Sequence, residues 1–125
     1  MRFLLDTSAL LLALSEPERL SSDARAAVED PASTVLVSAA SVWEIAIKRS
    51  LGKLEAPESI VGAVLDAGFE TLDIAPGLAE RAGNLPPHHR DPFDRMLVAQ
   101  ALAEGCTLLT RDDALAAYEA PILRA

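Results

Sequence analysis

Phe3-Leu4-Leu5-Asp6-Thr7-Ser8-Ala9-Leu10-Leu11-Leu12-Ala13-Leu14 is the stretch that decides the fold. Three unbroken apolar residues are what a strand buried on both faces looks like, as in a parallel sheet. The run stops at Asp6. Thr7 and Ser8 favour helix starts, and the leucines and alanines behind them continue as a buried helix. The unit is strand, acid, helix, with the acid at the carboxyl end of the strand.

Variants of that unit return further along. Val35-Leu36-Val37 closes at Ser38 and gives way to the strongest helical pattern, Ala39 to Leu54, with Gly52 as its stop. Cys106-Thr107-Leu108-Leu109 runs into Thr110-Arg111-Asp112-Asp113 and a last short helix, Ala114 to Tyr118. Amphipathic helices are expected over Ser22 to Asp30 and Pro57 to Ala67, and a short helix over Pro76 to Gly83. Phe69 to Ile74 reads as an edge strand and Pro121 to Leu123 as a final short strand. Strands alternating with helices imply an α/β fold, a mostly parallel sheet with helices on both faces. No repeat, linker or low-complexity tract divides residues 1–125, so one domain is expected.

The formal net charge is −8, which argues against broad electrostatic binding of nucleic acid. It leaves open a nucleic-acid enzyme in which divalent ions meet the phosphate locally. The lone Cys106 allows no internal disulfide and suits a reducing cytosol. No apolar run approaches the ~20 residues that cross a bilayer, and Met1-Arg2-Phe3-Leu4-Leu5-Asp6 does not read as a signal peptide. A cytoplasmic location with no membrane partner is the expectation.

His88-His89-Arg90-Asp91-Pro92-Phe93-Asp94-Arg95 opens the other strong helix, Asp91 to Glu104, with Gly105 just beyond its end. Pro92 suits the first helical turn, Asp91 suits the N-cap, and Asp94 lies inside the first turn. Ser41-Val42-Trp43-Glu44 matches a capping box, in which Glu44 reaches back to its own helix start. Asp6 and Asp112 also have capping explanations. In a parallel sheet, however, the site lies beyond the carboxyl ends of the strands. Asp6, Glu44, Asp94 and Asp112 would then share one cleft, where like charges repel unless a cation stands between them. Mg²⁺ or Mn²⁺ takes such oxygen ligands, lowers the pKa of a bound water and shields phosphodiester oxygens. Thr7 and Thr110 would hydrogen-bond a water or ligand. Lys48, Arg90, Arg95 and Arg111 would touch phosphates. His88 and His89 have no third partner at ligand spacing and read as exposed loop histidines.

With these residues in place, the chain resembles the PIN-domain ribonucleases, specifically VapC-type toxins of toxin–antitoxin pairs. The resemblance is carried by Leu4-Leu5-Asp6-Thr7-Ser8, by Ser41-Val42-Trp43-Glu44-Ile45-Ala46-Ile47-Lys48, by His89-Arg90-Asp91-Pro92-Phe93-Asp94-Arg95 and by Leu108-Leu109-Thr110-Arg111-Asp112. It implies a three-layer α/β/α sandwich and a Mg²⁺- or Mn²⁺-dependent endoribonuclease with an acidic quartet at Asp6, Glu44, Asp94 and Asp112. In the Asp91-Pro92-Phe93-Asp94 motif it puts the metal role on Asp94 rather than Asp91. It further implies an RNA substrate, a homodimer and a cognate antitoxin. Two other readings compete. A haloacid-dehalogenase-like phosphatase wants a second Asp where Ser8 stands. A non-catalytic interaction module would keep the fold as a binding surface.

Overall fold

The computed structural model describes all of residues 1–125. Five strands form one sheet: β1 (Arg2–Leu5), β2 (Thr34–Ser38), β3 (Glu70–Leu72), β4 (Thr107–Thr110) and β5 (Ile122–Arg124). Their spatial order is β3-β2-β1-β4-β5 and every pairing is parallel. The first strand is therefore the middle of the sheet. Leu4 pairs with Leu36 on one side and Leu108 on the other. The ladder runs one step further, because the Asp6 N–H donates to the Leu109 carbonyl at 3.0 Å.

Alternation along the strands splits the core into two layers, as a period of two requires. Phe3, Leu5, Val35, Val37 and Leu109 face the helices α1 (Thr7–Ser15), α2 (Ser22–Glu29) and α4 (Ile60–Asp66). Leu4, Leu36 and Leu108 face the other way, onto Leu97, Val98 and Ala101 of α6 (Pro92–Glu104) and onto Leu115 and Tyr118. Ile45 brings α3 (Ala39–Ser50) into the first layer, and α5 (Pro76–Gly83) packs on α6. The result is the expected sandwich of helices on both faces of a parallel sheet. No helix is long and apolar enough to cross a membrane.

Several boundaries differ from the sequence expectation, each for a local reason. The α3 helix is capped by Ser38, whose hydroxyl accepts from the Ala40 N–H at 3.0 Å. Ser41 is thus already inside the helix, and the capping-box reading of Ser41 and Glu44 fails. The helix also stops at Ser50, short of Leu54, because Gly52 takes a φ of 70° that the helix cannot continue. The α4 helix starts at Ile60 rather than Pro57, since Ser59 supplies the cap by accepting from the Gly62 N–H. The edge strand shrinks from Phe69–Ile74 to Glu70–Leu72, and the last helical segment is a 3-10 turn, Asp113–Ala117.

Candidate active site

Each acid reaches the carboxyl edge of the sheet by a different local route. Asp6 follows β1 directly and caps α1, its Oδ1 accepting from the Ala9 N–H at 2.7 Å. Asp112 follows β4 and caps the 3-10 turn through the Ala114 N–H at 3.0 Å. Asp91 caps α6 through the Phe93 N–H at 2.9 Å, with Pro92 behind it as expected. Asp94 lies in the first turn of α6. Glu44 sits in the second turn of α3, where it caps nothing. Its Oε1 instead accepts from the Thr7 hydroxyl at 2.5 Å and its Oε2 from Lys48 at 2.7 Å. Helical spacing alone brings Lys48 there, one turn on.

These side chains line a single cleft of about 440 Å³ with no hydrophobic residue in its wall. Asp6, Thr7, Ser8, Glu44, Lys48, Asp91, Asp94, Arg111 and Asp112 enclose it. Capping and convergence are therefore both true of Asp6, Asp91 and Asp112. A cap needs the side chain at the helix mouth, and the topology opens those mouths onto one edge.

The clustering is visible in the electrostatics. Burial, then the neighbouring Asp91, pushes Asp94 up to about 7, and Asp6 and Glu44 push in the same direction. Burial likewise raises Asp6. Hydrogen bonding from Thr110 and from the Ala9 N–H offsets part of that, and the charges of Glu44 and Asp112 add to it. The hydrogen bond to Glu44 raises Lys48 above its ordinary value. An Asp in the first turn of a helix should be helped to ionise by the helix dipole. That Asp94 moves the other way shows that burial and like charge outweigh it here.

The donor set is that of a hard divalent cation: carboxylate oxygens, no sulfur, and more negative charge than the cleft can hold unaided. One ligand atom from each of Asp94, Asp112 and His89 lies within 4.8 Å of the others. His89 departs from the sequence reading. Its side chain is only 19% exposed, and Nε2 lies 2.7 Å from Asp112 Oδ2 and 3.6 Å from Asp94 Oδ2. Asp94 lies close by in the next helix, but Asp112 stands across the fold after β4, where a search for ligand spacing along the chain does not reach. His88 is exposed as expected and meets the Tyr118 ring edge-to-face at 5.0 Å.

The basic residues do not all face the cleft. Lys48 lines it, paired with Glu44. Arg111 lines it and donates to the Arg19 carbonyl. Arg90 is exposed. Arg95 is turned inward: its guanidinium donates to the carbonyls of Ala82, Gly83, Leu85, Pro86 and His89. The expectation that Arg95 touches phosphate is corrected by this geometry, because its N–H groups are already taken. Thr110 is buried rather than open to a ligand, and its Oγ1 accepts from the Asp112 N–H at 3.0 Å. Thr7 points at Glu44 and at Ser41.

Known proteins share this architecture. A family model described as PIN domain matches residues 3–121. Ribonuclease VapC22 of Mycobacterium tuberculosis is 31% identical over 121 residues, which span 94% of this chain and 92% of that protein. Ribonuclease VapC16 of the same organism is 50% identical over 52 residues, 38% of this chain and 37% of that one. Among solved structures, VapBC2 from Rickettsia felis bound to a DNA fragment from their promoter superposes with a TM-score of 0.69 at 19% identity, covering 99% of this chain and 98% of that one. Mycobacterium tuberculosis VapC20, described as a Sarcin-Ricin loop cleaving toxin, gives 0.61 at 15% identity, covering 98% of this chain and 99% of that one. At such identities the superpositions speak for the fold.

Proposed function

The chain belongs to the PIN-domain family, and from that membership we propose that it is an endoribonuclease dependent on Mg²⁺ or Mn²⁺, the toxin of a toxin–antitoxin pair. The observation that carries the reading is the gathering of Asp6, Glu44, Asp94 and Asp112 into one cleft without apolar lining. The relative matched nearly end to end is a ribonuclease, which supports RNA as the substrate. The solved VapBC2 structure supports an antitoxin as the partner. We place the site in one domain, residues 1–125, and the buried lone thiol of Cys106 suits action in the cytoplasm. A homodimer follows from the same family resemblance.

Asp6, Glu44, Asp94 and Asp112 are the residues that would hold the dication. When bound, it supplies Lewis-acid chemistry, polarising phosphate oxygens and lowering the pKa of a water nearby. The chain's own residues set the stage. Thr7 and Lys48 hold both oxygens of Glu44, so its carboxylate is oriented before substrate arrives. The Ala9 N–H fixes Asp6, and Asp112 is held from two sides. Asp94, the acid whose charge the fold resists most, gains most from a cation. Lys48 and Arg111 line the cleft, where they would meet an RNA backbone.

The family match removes the phosphatase reading, and Ser8 stands where that chemistry needs an acid. A binding-only module remains the contrast for experiment. Incubation of the purified chain with RNA, with Mg²⁺ or Mn²⁺ and then with chelator, separates them. Cleavage that requires the ion and vanishes in Asp94→Asn is the expected result. RNA left intact under all ion conditions, with Asp94→Asn indistinguishable from wild type, would leave only the binding module.

A further inference from the structure

His89 lies among the acids, and a histidine so placed invites assignment as a metal ligand. The hydrogen bonds around its ring say otherwise. The Asp91 backbone N–H donates to His89 Nδ1 at 3.0 Å. A backbone amide always donates, so Nδ1 must present a lone pair and carries no proton. The neutral ring then has its proton on Nε2, and Nε2–H is aimed at Asp112 Oδ2 at 2.7 Å. An Nε2 ligand would need the opposite tautomer, with a proton on Nδ1 colliding with the Asp91 N–H.

The ring is itself held. The His89 N–H donates to the Tyr118 hydroxyl at 3.0 Å, and that hydroxyl donates onward to the Pro86 carbonyl at 2.7 Å. Arg95 donates to the carbonyls of both Pro86 and His89 at 3.2 Å. The stretch from Pro86 to Asp91 is thus fixed from α6 and from the end of the 3-10 turn after β4. What the His89 side chain brings to the cleft is one N–H donor, pointed at a carboxylate whose other oxygen already accepts from the Ala114 N–H.

We propose that His89 is a positioning residue, protonated at Nε2 and acceptor at Nδ1, that orients the Asp112 carboxylate toward the cation site and does not itself bind the cation. Its contribution to catalysis rests on the nuclease reading, but the tautomer does not. Orienting groups of this kind matter because they set the direction of a ligand oxygen and restrict its freedom before the metal arrives. Their loss commonly lowers metal affinity or activity about 10- to 100-fold.

The decisive measurement is long-range ¹H–¹⁵N correlation NMR of the labelled chain, with His88→Gln used to assign the two rings. In metal-free protein His89 should show the Nε2-protonated pattern, and saturating Mg²⁺ should leave that pattern in place. An Nδ1-protonated ring, or an Nε2 proton lost on adding Mg²⁺, would overturn the assignment. Calorimetric Mg²⁺ binding gives the second readout. His89→Ala should weaken binding about 10-fold or more, while His89→Gln, whose side-chain amide also offers an N–H, should recover most of the loss. Unchanged binding in His89→Ala, or equal loss in both variants, would sink the positioning role. Neither readout uses RNA, so a protein that binds Mg²⁺ as described yet fails to cut RNA would fault the nuclease reading alone.

Discussion

Asp94 carries a pH dependence that can be worked out from its own titration. Its ordinary value is 3.8, and in the fold it is pushed up to about 7. Below about pH 4 the carboxyl is protonated in folded and unfolded chains alike, and its contribution to stability is fully present. As the pH rises toward 7 the unfolded chain releases the proton while the folded chain keeps it, so stability is lost through that window. A shift of this size corresponds to ~4 kcal/mol at most. Asp94→Asn removes the titration. The melting temperature of metal-free wild type should therefore fall relative to Asp94→Asn between pH 4 and pH 7.5, with Asp94→Asn the more stable at neutrality. A wild-type-to-variant gap that stays constant across that range would show that the carboxylates do not burden one another. At this scale the sequence was informative about identity and poor about direction. Asp6, Glu44, Asp94 and Asp112 are all found in the cleft, yet nothing in the string of letters says that Arg95 turns inward while Arg90 faces solvent.

Among the elements, α6 has the greatest influence on the site. Asp91 and Pro92 fix its start, and Gly105 ends it at φ 64°, the left-handed conformation only glycine adopts freely. Its Arg95 reaches back to donate to the carbonyls left open at the end of α5, so one side chain joins two helices and the His89 loop. Lysine in that place keeps the charge but loses the planar fork. Arg95→Lys should cost about 2 kcal/mol in chemical denaturation, from several weakened hydrogen bonds. It should also speed amide exchange in residues 84–91 more than in the strands. Exchange unchanged in that loop would mean the clamp does not govern it. Gly105→Ala, by contrast, should cost about 1 kcal/mol and leave cleavage intact, because nothing stands within 4 Å of a built Cβ and only the backbone is strained. Element existence was legible in the sequence because apolar runs and caps are local signals. Glu44 shows the limit: the same S-x-x-E letters describe a capping box or a mid-helix acid. Only the extra cap at Ser38, one turn earlier, decides between them.

For the whole molecule the question is how a chain of net charge −8 handles a phosphodiester. The parallel order β3-β2-β1-β4-β5 puts β1 in the middle, so acids from both halves of the chain meet at one edge. That convergence was legible only through the rule that parallel sheets bind at their carboxyl edge, since no local pattern links Asp6 to Asp112. A cation that binds this cleft in the folded state alone must stabilise the fold, by ~2.7 kcal/mol at one hundred times its dissociation constant. For a domain of this size that is on the order of 10 °C in Tm. Mn²⁺ should therefore raise the Tm of wild type, measured at constant ionic strength so that general screening of the acidic surface is held fixed. Asp6→Asn and Asp94→Asn should gain little from Mn²⁺. Asp94→Asn should nevertheless start from a higher metal-free Tm at pH 7.5, for the reason given by its titration. That pair of opposite signs, more stable without the ion and less responsive to it, is not produced by a generic loss of surface charge. Equal Mn²⁺ gains in wild type and both variants would mean that the ion binds elsewhere, and the acidic cleft would lose its claim to be the metal site.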